Sequence, residues 1–100
     1  MEESELPEFL QTLKEKDPEY AANLLENFAE TQNDGALSAK TKLLIALALD
    51  AGNGDMDGVK ALSEHARKAG ATEDEILEVV KVIGSVCGFQ RLFYASKAFK

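Results

Sequence analysis

The residues best able to do chemistry in this chain lie between Asn53 and Arg91. The run Asn53-Gly-Asp55-Met-Asp57-Gly58, followed by Glu64, has the spacing of a calcium loop. Oxygen ligands fall at its first, third and fifth places, glycine at the sixth and glutamate at the twelfth. Asn53 stands where such loops usually carry aspartate, and Lys60 stands where they usually carry an aliphatic residue. The same residues also suit a helix start, with Asp55 as the N-cap and Asp57 in the first turn, where the helix dipole favours negative charge.

His65 is the sole histidine and could act as an acid or base near neutral pH, or stand on a helix flank at a surface or interface. Arg67 and Arg91 are the two arginines, and either could hold a substrate carboxylate bidentately if it faced a pocket. Arg67 reads as an exposed helix charge. Arg91, beside Phe89, Leu92 and Phe93, suits a pocket better. Cys87, the one cysteine, is expected on an apolar stripe as a small buried hydrophobe. It has no cysteine partner in the chain, so a two-cysteine redox cycle is excluded.

The elements that must position these residues are helices. Leu6, Phe9, Leu10 and Leu13 recur at helical spacing and give a short first helix ending near Lys16. Asp17-Pro18 caps and opens a second, with Tyr20, Leu24 and Phe28 (with Ala21 and Leu25) as its buried face. Asn33-Asp34-Gly35 signals a turn. Ser38 caps a third helix whose seven apolar residues Leu43 to Leu49 leave no polar face, so it is expected to be buried on all sides.

A fourth helix follows the Gly52-Asn53-Gly54 turn, with a stripe of Val59, Leu62, Ala66 and Ala69, and Gly70 is placed to end it. Thr72-Glu-Asp-Glu75 is a capping box. The fifth helix that it opens carries Ile76, Val80, Ile83 and Cys87 on one side, and only Asp74, Glu78, Lys81 and Ser85 form a polar stripe. A sixth, Phe89 to Phe99, follows a kink at Gly84 or Gly88. No alternating β pattern competes, so the fold class is all-α.

The order Ser38-Ala-Lys-Thr-Lys42, apolar run, glycine turn, Val59 to Ala69, Gly70-Ala71-Thr72, Glu75-Ile76 resembles the carboxymuconolactone decarboxylase family, which includes the alkylhydroperoxidase D-like proteins. The resemblance implies a single-domain, alkylhydroperoxidase D-like bundle of about six helices, with residues 38–100 as the family core and 1–35 as an N-terminal helical extension. In the peroxidase branch the active-site glutamate, the two cysteines of Cys-x-x-Cys and the histidine would fall here on Leu43, Asp55, Gly58 and Leu62. None of these can supply thiol chemistry. The decarboxylase branch lacks the cysteine pair, but its histidine also falls on Leu62. A lactone decarboxylase needs a carboxylate anchor and a proton donor, for which Arg91 and His65 are the candidate pair.

Eighteen acidic against eleven basic residues give a net charge of −7. With no Lys/Arg cluster, a nucleic-acid partner is excluded. The N-terminus lacks the basic start and apolar core of a signal peptide, and no apolar run is long enough to span a bilayer, which points to a cytoplasmic protein with no membrane partner. The third and fifth helices carry more apolar surface than one small bundle can cover, and the resembled family forms trimers and hexamers. A homotrimer or homohexamer is therefore expected, with a small carboxylated molecule as a further partner and no cofactor. The functional expectation is a decarboxylase-type reaction or non-redox small-molecule binding. A calcium-binding helix-loop-helix module built on Asn53, Asp55, Asp57 and Glu64 is the alternative.

Overall fold

The computed structural model describes residues 6–99. It holds six α-helices: α1 (Glu8–Lys16), α2 (Pro18–Thr31), α3 (Ala39–Asn53), α4 (Met56–Lys68), α5 (Glu73–Cys87) and α6 (Phe89–Ala95), with a closing 3-10 turn (Ser96–Phe99). Among the described residues there is no strand, so the all-α expectation holds. The chain forms two compact units, one ending at Asn33 and the other starting at Asp34.

In the first unit, Asp17 separates two helices by serving both. Its amide donates to the Leu13 carbonyl at 2.7 Å, closing α1, and its carboxylate accepts from the Tyr20 amide at 3.1 Å, opening α2. The buried face of α2 differs from the expected one. Ala21 is buried and Leu24 and Leu25 are half-buried, but Tyr20 and Phe28 stand 52% and 51% exposed. Within a hairpin of two short helices only one narrow stripe meets the partner helix, and the bulky residues beside it stay outside.

In the second unit, the Asp34 carboxylate accepts from the Ala39 amide and Ser38 Oγ from the Thr41 amide at 3.1 Å, so two side chains satisfy the free donors at the start of α3. α4 ends in a Schellman motif: the Gly70 amide donates to Arg67 O at 3.0 Å and the Ala71 amide to Ala66 O at 2.9 Å. The Thr72–Glu75 capping box then starts α5, with both reciprocal bonds formed at 3.1 and 2.8 Å. The kink falls at Gly88, whose φ of +89° interrupts the chain between α5 and α6. Gly84 has a different task. A Cβ there would lie 3.0 Å from a Leu92 methyl, so its absence lets α6 fold back closely on α5.

The core joins Leu47 and Ala51 of α3, Val59 and Ala66 of α4, Ile76, Val80 and Ile83 of α5, and Ala95 and Ala98 near the C-terminus. Three expectations about faces need correction. α3 is not buried all round: α4, α5 and α6 cover one side, and Ile45 and Leu49 remain 44% and 64% exposed. On α4 the buried stripe is Val59, Ser63 and Ala66, with Leu62 half-buried and Ala69 exposed; Ser63 is admitted because its hydroxyl donates to Lys60 O at 2.8 Å. Cys87 is exposed, because it is the last residue of α5 and the chain turns away at Gly88 before anything can cover the thiol.

Candidate functional site

The α3–α4 junction assembles the most chemically loaded group of side chains. Gly54 adopts φ +78° at the end of α3, and the Asp55 amide donates back to Asp50 O at 2.9 Å. The tight turn delivers Asp55 to the N-cap of α4, where its Oδ1 accepts from the Gly58 amide at 2.8 Å. Asp50, in the last turn of α3, points its carboxylate across the same turn. A Cβ built on Gly58 would overlap Asp50 Oδ2, and Asp55 Oδ2 lies 2.8 Å from that same point. The two carboxyl groups therefore face one space above the first turn of α4.

That arrangement changes the acidity of Asp50. Partial burial, first, and the neighbouring Asp55 charge, second, push its pKa above the ordinary 3.8, since both disfavour a second negative charge in this space. Asp50 was not among the residues picked out from sequence. The available signal was its place as the first polar residue after the apolar run, two residues before the Gly52-Asn53-Gly54 turn.

α6 closes another side of the turn. Arg91 Nε donates to the Gly52 carbonyl at 3.0 Å, its Nη1 donates to Gln90 at 2.7 Å, and its guanidinium lies 5.7 Å from the Tyr94 ring centroid. The Tyr94 ring in turn borders Gly54, where an added Cβ would stand 3.4 Å from it. Arg91 thus braces the turn that carries Asp50 and Asp55.

The other candidate residues are dispersed. Leu43 and Leu62 are half-buried against the core. His65 is exposed on α4, and among the described residues no hydrogen bond or ion pair joins it to Arg91. Arg67 is not the free surface charge expected of it. It donates to both Glu73 oxygens at 2.7 and 2.9 Å, to Glu64 at 2.8 Å and to Ala98 O at 2.9 Å, tying α4 to the start of α5 and to the C-terminal turn. The same bonds hold the Glu73 carboxyl below its usual range.

The calcium loop is overturned by geometry. α4 begins at Met56, so Asp57 and Glu64 sit two helical turns apart, roughly 10 Å along the axis, and cannot converge on one ion. Glu64 is instead engaged by Arg67. Among the described residues no group of three His, Cys, Asp or Glu side chains is placed to hold a metal.

A profile of the carboxymuconolactone decarboxylase family matches residues 18–100. The chain belongs to the carboxymuconolactone decarboxylase family. The match begins at the first residue of α2, earlier than the core expected from residue 38. Among solved structures, the chain is similar to a carboxymuconolactone decarboxylase family protein from Legionella pneumophila, crystallised in its apo form. The TM-score is 0.80 and the identity 30%, with 89% of this chain and 80% of that one covered. No curated protein matches in sequence. The single cysteine of the chain is Cys87, at the far end of α5, and the α4 start carries Asp55 and Gly58 beneath Asp50. No helix among the described residues is long and apolar enough to cross a membrane.

Proposed function

We propose that this carboxymuconolactone decarboxylase family member performs proton-transfer chemistry, not redox chemistry, on a small organic molecule, with Asp50 as the proton carrier. The observation that carries the proposal is the position of the Asp50 carboxyl: it fills the space above Gly58 and shares it with the Asp55 carboxylate. Partial burial and the neighbouring Asp55 charge raise the Asp50 pKa above its ordinary 3.8, which makes Asp50 the carboxyl that holds a proton more readily than a solvent-exposed one. In a decarboxylation of the family's type, the substrate C–C bond breaks and carbon dioxide leaves. The electron pair stays on the substrate as an enolate, the Asp50 proton passes to that carbon, and solvent reprotonates Asp50. Arg91 is the candidate anchor for a remaining carboxylate of a small ring substrate, and the exposed His65 has no part in the step.

The test is carbon dioxide release from carboxymuconolactone. The wild type should turn over, and Asp50→Asn should lose about 100-fold or more in kcat while still binding, as expected for removal of a general acid. Binding without turnover in the wild type favours the second reading, a non-catalytic small-molecule binder, and neither binding nor turnover sinks both. Self-association of the chain, as a closed trimer or hexamer, is part of the proposal and is supported by the apolar residues that α3 and α5 leave uncovered.

A further inference from the structure

The two arginines of the chain have opposite surroundings. Arg67 is held by the carboxylates of Glu64 and Glu73. Arg91 is half-buried, and among the described residues no carboxylate pairs with it, in a chain whose net charge is −7. Its partners are all neutral: the Gly52 carbonyl accepts from Nε at 3.0 Å, the Gln90 side-chain oxygen accepts from Nη1 at 2.7 Å, and the Tyr94 ring centroid lies 5.7 Å from the guanidinium. The two hydrogen bonds differ in exposure. The Nε bond is partly buried against the turn, whereas the Nη1 bond to Gln90 is open to solvent. The inner edge of Arg91 therefore serves the fold, and its outer edge carries a positive charge that no acidic side chain balances.

We infer that Gln90 is a specificity-determining residue: its side-chain oxygen holds the carboxylate place on Arg91 and is displaced when a small-molecule carboxylate binds there. A guanidinium grips a carboxylate best with two parallel N–H bonds from neighbouring nitrogens. With Nε committed to Gly52, that fork can come only from Nη1 and Nη2, and Gln90 competes for Nη1. The exchange is uneven. A carboxylate brings a negative charge to an unbalanced cation, so its bonds are stronger than the one from a neutral amide oxygen. Gln90 is exposed, so its side chain can swing into water without moving α6. A neutral ligand replaces one neutral acceptor by another and gains nothing, which is how the site tells the two apart. The Gly52 carbonyl and the Tyr94 ring meanwhile keep the guanidinium from following Gln90 outward. The inference rests on the proposed role of Arg91 as carboxylate anchor and does not depend on proton transfer by Asp50.

The experiment titrates the full chain by calorimetry with cyclohexanecarboxylate, and with the neutral cyclohexanecarboxamide as control. The wild type should bind the carboxylate and not the carboxamide. Gln90→Ala removes the competitor and should bind the carboxylate roughly threefold more tightly, whereas Gln90→Glu supplies an internal carboxylate and should weaken binding about 10-fold or more. Helical circular dichroism should be unchanged in both, since the side chain at this position is exposed. Arg91→Lys tests the anchor separately and should lose the binding, because an ammonium offers no fork. Binding that survives in Arg91→Lys, or a wild type that binds no carboxylate at millimolar concentration, overturns the anchor and this inference with it. Binding lost in Arg91→Lys but unchanged in Gln90→Ala and Gln90→Glu overturns the role of Gln90 alone. Asp50→Asn should bind as the wild type does, so a failure of the acid chemistry, read by carbon dioxide release, is separate from either result.

Discussion

The Asp50 carboxyl occupies the place that a side chain at Gly58 would need. The two positions are eight residues apart on successive helices, and the Gly54 turn brings them together. Gly58→Ala should therefore force Asp50 to swing away from Asp55. The substitution itself favours the helix by up to about 1 kcal/mol, so the fold should survive. Carboxyl chemical shifts followed by NMR against pH should show the Asp50 pKa falling toward its ordinary 3.8 in this variant. No change would mean that the two groups do not compete for the space.

The raised pKa of Asp50 has a signed effect on stability. Its folded form holds a proton at a pH where the unfolded chain has lost it, so this group's contribution falls as pH rises from 3.8 through the folded value, and stays low above it. Asp50→Asn should then gain stability over the wild type at neutral pH, with the difference vanishing in acid. Glu73 and Glu75 act in the opposite sense. Their folded pKa values are lowered, by Arg67 for the one and by the Thr72 backbone and Lys40 for the other, so their contribution is present above 4.5 and lost as pH falls through the folded values. Urea unfolding at neutral and acid pH, on the wild type, Asp50→Asn and Glu73→Gln, separates the two trends.

Both alanine and lysine at Arg67 should lower stability. Its fork spans Glu73 with two bonds while reaching Glu64 and the Ala98 carbonyl, a geometry that a single ammonium cannot reproduce. Because the Glu73 and Glu64 ends are solvent-exposed, the loss for Arg67→Ala should be modest, about 1–2 kcal/mol, and Arg67→Lys should recover only part of it. Thermal unfolding gives the comparison.

The capping box at Thr72 gives a sharper local test. Thr72→Ala removes the acceptor for the Glu75 amide and should lower stability by about 1 kcal/mol, while Thr72→Ser should be nearly neutral. Equal losses for both variants would assign the effect to the threonine methyl group.

The thiol chemistry is also testable. Cys87 is exposed, so the native protein should react quickly with a maleimide. With no second cysteine to resolve a sulfenic acid, steady reduction of an alkyl hydroperoxide by a dithiol should not occur. Turnover lost in Cys87→Ser would contradict this.

Local features were legible in the sequence because their physics is local. The Asp17, Ser38, Asp55 and Thr72 caps each depend on residues three positions apart, and the structure forms all four. The helix count and the all-α class followed from periodicity, and the family from the order of caps, apolar run and glycine turns. Which face of each helix is covered depends on how many neighbours reach it. That is why Tyr20, Phe28, Ile45, Leu49 and Cys87 were expected inside and lie outside, and why Arg67 was expected free and is bound. The pairing of Asp50 with Asp55 above Gly58 is also tertiary. It needs α3 and α4 to fold across one turn, because a carboxylate at the end of one helix meets the start of the next only when the Gly54 turn fixes the angle between them.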